Sequence, residues 1–428
     1  MEHGLQKVQM KLKGGFLTRR IFAIAFIFVC TTIAWMILGS TIFLRSGNSN
    51  DSLTSHVSST WGMAQEQSPP SATYSRTEMA TVTEQDHGKT FIRTDQVERK
   101  IPLPLDSSRV NAALHLDPRQ KGLLWYSTYT VDFAGDYKFH NDTAEVKDVE
   151  FALHLPAEHA IYDGLVMNVN GKELVPVTSS NGAKVSVAMQ PGETVQLHVG
   201  YRSQGLNSWR YKLGDGIAQV HDFALNMSTN FKNIDFADDT LSPTNKQEQG
   251  DGWRLTWQYS NLISGFQIGM TMPEKLQPGP LAGQISYFAP VSLFFFFFLM
   301  FILTTLRNID LHPMNYFFLA ASFFAFHLLL AYLVDHISIH IAMVIASVVS
   351  IVLVVSYLRI VVGPRFAILE AGGAQLVYLV LFSYAFFWKG YTGLSVTVIA
   401  IVTLFIVMQA TARMRWSEKF ADSSAVRN

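Results

Sequence analysis

Six long stretches of apolar residues interrupt an otherwise polar chain, one near its start and five close together near its end. A helix needs about 20 consecutive apolar residues to cross the hydrocarbon core of a bilayer. Each stretch reaches or approaches that length, so the pattern predicts six membrane-spanning helices. They are Ile21–Leu44, Ile285–Leu306, Met314–Val334, Ile337–Leu358, Ala371–Trp388 and Tyr391–Ala412.

The first stretch follows a basic leader and therefore resembles a secretory signal peptide as well as an anchor. A cleavable signal has an apolar core of only about 7–15 residues, followed by a site with small residues. Ile21–Leu44 is longer than that and contains no charged residue. We therefore expect an uncleaved membrane anchor.

A different pattern, the alternation of apolar and polar residues, covers much of the region between the first two stretches. Val149–Leu155, Val195–Tyr201 and Trp253–Tyr259 all alternate in this way, which is typical of strands with one buried face. Asn170-Gly171 and Asp251-Gly252 are turn signals between such runs. The pattern predicts an antiparallel β-sandwich over residues 91–280, built as one large module or two small ones.

Residues 45–90 lack this pattern. They are rich in Ser, Thr, Gln and Asn and contain Pro69-Pro70. A segment of this composition buries too little apolar surface to offset its ordering entropy, so we expect a flexible linker.

The distribution of charged residues predicts the orientation of the chain in the membrane, and the net charge argues against one class of partner. The chain has 33 Lys+Arg against 33 Asp+Glu, and this neutral balance argues against a nucleic-acid partner. Its single cysteine, Cys30, excludes an internal disulfide framework. With the N-terminus inside, short cytoplasmic segments and tails hold twelve Lys/Arg residues, whereas Lys389 is the one basic residue in the short external connections. The positive-inside rule therefore places both termini in the cytoplasm and the large domain outside it.

Together these patterns predict a membrane protein of the α+β class. Its six transmembrane helices are one N-terminal anchor plus a C-terminal five-helix bundle, and its large periplasmic domain is antiparallel and β-sandwich-like. The expected segments are a basic cytoplasmic N-terminus, the anchor, the linker, the β-domain, the bundle and a cytoplasmic tail. Their boundaries are 1–20, 21–44, 45–90, 91–280, 281–412 and 413–428.

No nucleophile, metalloprotease, phosphate-loop or dinucleotide motif occurs in the chain. The candidate chemistry lies in the bundle, where ionisable side chains are costly and often functional. His327, Asp335, His336 and His340 form a cluster in sequence that suits a metal site or a proton relay. The alternative is structural: Asp335-His336 forms a tight wet turn, and His327 and His340 are hydrogen-bonded between helices.

Two further candidates, Arg359 and Glu370, flank the connection between the fourth and fifth spans. A short connection would let them pair, and Arg365 is an equally good partner for Glu370. We expect such a pair to stabilise the hairpin between the two spans.

The corner before the third span reads Leu311-His312-Pro313-Met314-Asn315-Tyr316, and a short Asp335-His336 turn follows that span. Proline is favoured in the first turn of a helix, so His312-Pro313 predicts the helix start. This block resembles the CreD family of bacterial inner-membrane proteins, often called cell envelope integrity proteins. The order of anchor, large external domain and helical bundle is also similar to that family.

The resemblance implies a role in cell envelope integrity, which we expect to be non-enzymatic binding, scaffolding or sensing. It implies no catalytic residues, and we expect no cofactor or metal. The expected partners are the lipid bilayer and an unknown envelope protein or cell-wall component. Two alternatives stay open: an ion- or proton-coupled transporter or channel that uses the bundle, and a membrane-bound hydrolase that uses the external domain.

Overall fold

A computed structural model describes residues 2–86, 89–121, 124–157, 160–180, 182–213, 220–263, 267–307, 309–388 and 390–412. The predicted tail, 413–428, lies outside these residues. The chain divides into two compact units. One is helical and contains Met1–Asp51 and Leu276–Asn428, whereas the other is rich in strands and contains Ser52–Lys275.

The helices confirm the six predicted spans. Each of six helical segments is long and apolar enough to cross a membrane. The segments are α1 (Glu2–Trp61), α2 (Pro278–Leu306), α3 (Pro313–Leu333), α4 (Ile339–Val361), α5 (Phe366–Phe387) and α6 (Thr392–Thr411).

Local chemistry sets several helix ends. Pro278 and Pro313 lie in the first turns of α2 and α3, where a missing backbone N–H costs nothing. Gly363, with φ of +116°, follows the end of α4 in a conformation that other residues avoid.

Helix α5 is irregular. It contains two π-helical stretches, Phe366–Gly372 and Leu376–Leu381, around a short α-helical piece, and it ends in a 3-10 turn at Ala385–Phe387. Such stretches are rare, and they are frequent at functional sites. The apolar pattern predicts a span at α5 but starts it at Ala371 and not at Phe366, and it carries no signal for this irregularity.

The second unit contains eighteen strands among the residues that the structure describes. They are β1 (Gln65–Gln67), β2 (Ser71–Asp86), β3 (Lys89–Pro102), β4 (Leu105–Leu116), β5 (Arg119–Lys121), β6 (Leu124–Tyr126), β7 (Thr128–His140), β8 (Lys147–His154), β9 (Tyr162–Val169), β10 (Lys172–Leu174), β11 (Val177–Ser179), β12 (Gly182–Met189), β13 (Thr194–Leu206), β14 (Ser208–Tyr211), β15 (Asp222–Thr229), β16 (Asn245–Gln249), β17 (Gly252–Tyr259) and β18 (Ile268–Thr271).

The strands form four sheets. The largest has eight strands in the order β10-β9-β13-β7-β4-β15-β17-β16, and the next has five in the order β11-β12-β8-β2-β3. β1-β14-β18 and β5-β6 form the two small sheets. Most strand pairs are antiparallel, as predicted, but β15 runs parallel to β4 and β1 runs parallel to β14, which the prediction did not include. Alternation along a strand reports which face is buried and says nothing about the direction of its neighbour.

One hydrophobic cluster joins residues of the two large sheets. Phe139 of β7 and Phe151 of β8 belong to it, with ring centroids 5.5 Å apart, and both side chains are buried. The three predicted alternating runs lie in β8, β13 and β17 and bury every second side chain over most of their length. The β-rich domain is therefore confirmed, and the sandwich arrangement stays a prediction.

The predicted flexible linker over residues 45–90 is wrong. The structure continues α1 to Trp61 and places β1, β2 and the start of β3 in the rest of this range. The boundary of the strand-rich unit accordingly lies at residue 52 and not at 91. Val57 is buried in a cluster with Tyr126 and Leu206, and the Arg119 guanidinium lies 3.6 Å from the centroid of the Trp61 ring.

Two polar residues of this range, Gln65 and Gln67, are held by buried hydrogen bonds. The Gln65 amide donates to the Ser203 hydroxyl over 2.7 Å, and the Tyr201 hydroxyl donates to Gln67 Oε1 over 2.5 Å. Both glutamines are buried. Composition alone misses this because a buried amide is stable only when its partners are in place.

Candidate functional site

The Asp335-His336 turn lies between α3 and α4, and both residues are exposed. Asp335 forms an ion pair with Arg45 of α1, with 2.9 Å between the carboxylate and the guanidinium. Arg45 also donates to the carbonyl oxygen of Ala331 over 2.8 Å. One arginine therefore links α1 to the end of α3 through two independent contacts.

Sequence reasoning missed Arg45, although a signal was present. It is the first charged residue after the anchor, and Asp335 is the first acidic residue after the third span. With alternating spans, both residues lie on the same side of the membrane. The sequence contains no information on which span packs against α1, so it could not pair them.

His327 lies inside the helical unit and is buried. Its Nδ1 is 2.9 Å from the carbonyl oxygen of Phe323, one turn earlier in α3. The ring contacts Trp35 and Phe326 edge-on, with centroid distances of 5.6 and 4.8 Å. The described hydrogen bond of His327 is made by Nδ1 within α3, whereas a hydrogen bond between helices was predicted.

The structure does not bring the predicted His/Asp cluster together into a metal site. His340 is exposed and its ring lies 5.1 Å from that of Phe387, in α5. His327 packs against Trp35, and Asp335 pairs with Arg45. Among the described residues, no group of three or more His, Cys, Asp and Glu side chains is placed to hold a metal ion.

Glu370 forms its ion pair with Arg307, which follows the end of α2. The predicted partners, Arg359 and Arg365, are exposed. Glu370 lies in the first π-helical stretch of α5 and is mostly buried, whereas Arg307 is more exposed. The prediction failed because proximity along the chain favours Arg359 and Arg365, whereas helix packing places Arg307 closer.

The His312-Pro313 corner starts α3 as predicted. The Nδ1 atom of His312 accepts a hydrogen bond of 3.2 Å from the backbone N–H of Met314. Such a cap satisfies one of the backbone donors that a helix leaves unpaired at its start. The first role of His312 is therefore to cap α3.

A buried chain of hydrogen bonds through Gln375, Ser350 and Ser322 was not predicted. The Gln375 amide donates to the Ser350 hydroxyl over 2.7 Å, and that hydroxyl donates to the carbonyl oxygen of Ser322 over 2.6 Å. Gln375 is fully buried, and its Oε1 has no hydrogen-bond partner among the described residues. A glutamine within an apolar span was the available signal, since polar side chains commonly join helices in membranes.

Tyr378 forms a second polar contact in the same part of α5. Its hydroxyl lies 2.6 Å from that of Thr403 in α6, and its carbonyl oxygen accepts a hydrogen bond from the Ser292 hydroxyl in α2. Gln375 and Tyr378 flank the start of the second π-helical stretch. The irregular backbone thus coincides with the polar contacts of α5 to α2, α4 and α6.

In the strand-rich unit, a cavity with a volume of about 430 Å³ lies over the polar face of the eight-stranded sheet. We call it the sheet trough. It is lined by Asn111, Ala112, Ala113, Asp132, Phe133, Ala134, Asn226, Met227, Ser228 and Arg254. Strand register places Asn111 beside both Ala134 and Asn226, so the polar side chains of four neighbouring strands meet there.

The polar residues of this face bind one another. The Asn226 amide donates to Asn111 Oδ1 over 3.2 Å, and the Thr256 hydroxyl donates to Asn226 Oδ1 over 3.1 Å. Arg202 donates to both oxygens of Asp132 over 2.6 and 3.2 Å. Amide and hydroxyl side chains both donate and accept, so the trough suits a polar ligand of little net charge.

Ion pairs surround the trough. His198 Nδ1 lies 2.9 Å from Asp136, and the Arg109 guanidinium lies 2.8 Å from Asp222. Hydrogen bonds donated by Arg109 lower the pKa of Asp222, and the hydrogen bonds that Arg202 donates to Asp132 raise the pKa of Arg202.

Comparison with known proteins gives one extensive match and several distant ones. A family model described as inner membrane protein CreD matches residues 17–285 and 284–417. No curated protein matches the chain.

Among solved structures, a Legionella pneumophila protein described as nutrient-binding is 11% identical at a TM-score of 0.32. The match covers 46% of this chain and 74% of that one. An M1 zinc metallopeptidase from Deinococcus radiodurans is 12% identical at a TM-score of 0.27, with 40% of this chain and 42% of that one covered. Structural similarities with TM-scores this low carry no argument about the function of this chain. The family match instead covers most of the chain, which therefore belongs to the CreD family of inner membrane proteins.

Proposed function

We propose that this protein contributes to cell envelope integrity as a non-enzymatic binding or scaffolding protein of the inner membrane. Its helical unit anchors it in the bilayer, and its strand-rich unit binds an envelope protein or a cell-wall component. Membership of the CreD family supports the membrane location. The proposed binding role rests on a polar surface of the strand-rich unit.

The sheet trough is the observation that carries this proposal. Its amides and hydroxyls are already held in position by their neighbours, so a partner meets ordered donors and acceptors. Small side chains at Ala113 and Ala134 leave space between them. An ordered polar surface favours binding because little side-chain freedom remains to be lost.

A deletion strain and complementation test the proposal. We expect deletion to increase sensitivity to envelope stress such as detergent or a chelator of divalent cations, and the intact gene to restore resistance. Ala134→Trp fills the trough from an outward-facing position, so it should restore less resistance. Gln258→Trp, on the same face but outside the trough lining, should restore it fully.

Membrane levels of each variant are measured by immunoblotting so that loss of protein is distinguished from loss of binding. A deletion strain that matches its parent under several such stresses would contradict the envelope role. Full complementation by Ala134→Trp at normal protein levels would contradict the role of the trough.

The proposed orientation places both termini in the cytoplasm and the strand-rich unit in the periplasm, as the positive-inside rule favours. Thr178 is exposed, and the chain has one cysteine to remove. In a Cys30→Ser background, Thr178→Cys should react with a membrane-impermeant maleimide in intact spheroplasts. Labelling only after lysis would contradict this orientation.

Ion- or proton-coupled transport is the second candidate function. The buried Gln375, whose Oε1 has no hydrogen-bond partner among the residues that the structure describes, favours it, since polar groups within membranes frequently mark transport pathways. Proteoliposomes containing the full chain would then show ion flux that Gln375→Leu abolishes. Flux equal to that of empty liposomes would exclude this function.

A further inference from the structure

A groove of about 440 Å³ lies between α3 and α4, within the membrane-spanning part of the helical unit. Phe318 and Ser322 of α3 and Leu353, Tyr357 and Ile360 of α4 are among the residues that line it. The rings of Phe318 and Tyr357 are 5.2 Å apart. The groove is mostly apolar and opens outward, where the medium of a membrane protein is lipid.

The position of the groove along the helices determines which part of a lipid it can meet. Its lining comes from the first three turns of α3, which starts at Pro313, and from the last three turns of α4, which ends at Val361. The groove therefore runs from the interior of the bilayer to one membrane surface. The acyl chain of a phospholipid runs in the same direction, from the interior of the bilayer to the headgroup at the surface.

Charge at the surface end indicates the type of headgroup. Arg359 is exposed in the last turn of α4, three residues after Ser356 of the groove lining, and residues so spaced lie on one helix face. Within the described part of the chain Arg359 forms no ion pair, whereas nearby Glu370 is occupied by Arg307. A cation without an acidic partner, beside an apolar groove, complements a phosphate.

A hydrogen-bonded pair lies at the same end. The Tyr357 hydroxyl donates to Asn315 Oδ1 over 2.6 Å, which holds the ring of Tyr357 against the groove. The amide nitrogen of Asn315 is thereby left to donate to another acceptor. Ester and phosphate oxygens of a lipid are such acceptors.

We propose that the groove between α3 and α4 binds the acyl chain of an anionic phospholipid, whose phosphate is bound by Arg359. This inference is independent of the proposed envelope role and of the orientation. It also links lipid occupancy to the interior of the bundle. Ser322 in the groove wall accepts, through its carbonyl oxygen, the hydrogen bond from Ser350, which is bound in turn to Gln375.

Native mass spectrometry of the full-length protein in detergent tests the proposal. The probes are phosphatidylglycerol and phosphatidylcholine with identical palmitoyl and oleoyl chains. We expect one phosphatidylglycerol to be retained more strongly than phosphatidylcholine. Arg359→Gln should weaken phosphatidylglycerol binding about tenfold, the usual size for loss of one charge-assisted hydrogen bond.

Matched controls separate a specific site from general attraction to lipid. Arg365→Gln removes a charge at the same end of the bundle but outside α4, and it should change the binding little. Ser356→Trp fills the groove and should weaken both lipids, whereas Val344→Trp, an exposed position on α4 outside the groove, should not. Thermal unfolding of each variant confirms that it is folded.

Three results would overturn the proposal. The first is equal retention of the two lipids by the unaltered protein. The second is an effect of Arg365→Gln as large as that of Arg359→Gln. The third is full binding by a folded Ser356→Trp variant.

Discussion

Several charged and polar residues of the helical unit form ion pairs or hydrogen bonds that the linear sequence does not reveal. Arg45 pairs with Asp335, Arg307 pairs with Glu370, and His327 bonds to the carbonyl of Phe323. Unpaired charges and polar groups are costly in a bilayer, so each contact lowers a penalty that its residue would otherwise incur. These contacts explain why ionisable residues of the bundle need not be catalytic.

The Arg45–Asp335 ion pair leads to a prediction for a double-mutant cycle. Because both side chains are about two-fifths exposed, at 40% and 44%, we expect a coupling of about 0.5–1 kcal/mol between Arg45→Gln and Asp335→Asn. Arg45→Gln alone should cost more than Asp335→Asn, since it also removes the hydrogen bond to Ala331. Denaturant unfolding in detergent measures both effects, and strictly additive single variants would show that the pair does not form.

His327 leads to a prediction about packing. Its ring fills a fully buried position beside Trp35 and Phe326. His327→Ala should destabilise the helical unit by about 3 kcal/mol through the cavity it leaves. His327→Phe should cost less than His327→Ala, because the phenyl ring, although larger than imidazole, fills the position that alanine would leave empty.

Chemical unfolding of the two variants in the same detergent compares them directly. If His327→Phe were as destabilising as His327→Ala, the imidazole nitrogen and not its volume would be the important feature.

At the scale of elements, the long hairpin of β2 and β3 differs from the rest of its sheet. The two strands pair with each other from Thr73↔Pro102 to Asp86↔Lys89, but β8 pairs with β2 only over Ser71–Tyr74. Most of the hairpin is therefore a two-stranded ribbon, and isolated ribbons of two strands are marginally stable in water.

Hydrogen exchange of the full-length protein tests this description of the ribbon. We expect backbone amides of 76–85 and 90–99 to exchange many times faster than those of β7 and β13, which pair along their whole length near the centre of the eight-stranded sheet. Mass spectrometry of peptides from the two regions measures the difference. Equal protection would show that another strand covers the ribbon.

In the helical unit, helix α5 is the element that differs from its neighbours. Its apolar composition predicts a span, and the structure adds two π-helical stretches beside Gln375 and Tyr378. In this irregular part of α5 the Gln375 side chain contacts α4, the Tyr378 hydroxyl contacts α6, and the Tyr378 carbonyl oxygen contacts α2. Such details depend on which helices are neighbours, so an apolar pattern cannot encode them.

For the whole molecule, buried tyrosines make the strand-rich unit sensitive to alkaline pH. Tyr211 is buried, its hydroxyl lies 3.2 Å from that of Ser108 and 3.4 Å from that of Tyr137, and burial raises its pKa to about 12. Burial also raises the pKa of Tyr137. An unfolded tyrosine has a pKa of about 10.

The direction of the pH effect follows from these values. Below pH 10 the tyrosine is protonated in both states, so its contribution to stability is fully present. Between pH 10 and 12 the unfolded state releases the proton and the folded state keeps it, so stability falls as pH rises.

We therefore expect the free energy of unfolding to fall steeply above pH 10, and Tyr211→Phe to make that fall shallower by up to about 1.4 kcal/mol per pH unit. Denaturant titrations followed by circular dichroism at pH 7, 10 and 11 measure the slope. An identical slope in Tyr211→Phe would show that Tyr211 titrates alike in both states.

Part of this protein follows from its sequence alone. Six spans, the strand-rich unit between the first two and the start of α3 at His312-Pro313 were all predicted, and the family match agrees with the resemblance read from that corner. These features succeed because each depends on a local property. The length of an apolar run, the alternation of a strand and the fixed φ of proline all act within a few neighbouring residues.

Only the tertiary structure decided the partners and the order of the polar segments. It paired Asp335 with Arg45 and Glu370 with Arg307, set β15 parallel to β4, and replaced the expected linker with a helix and strands. It also revealed the sheet trough and the groove between α3 and α4. All these features have the same physical reason. A charge, an amide or an edge strand is stabilised by the groups that lie beside it in space. Residues up to about 290 positions apart become neighbours only when the chain has folded.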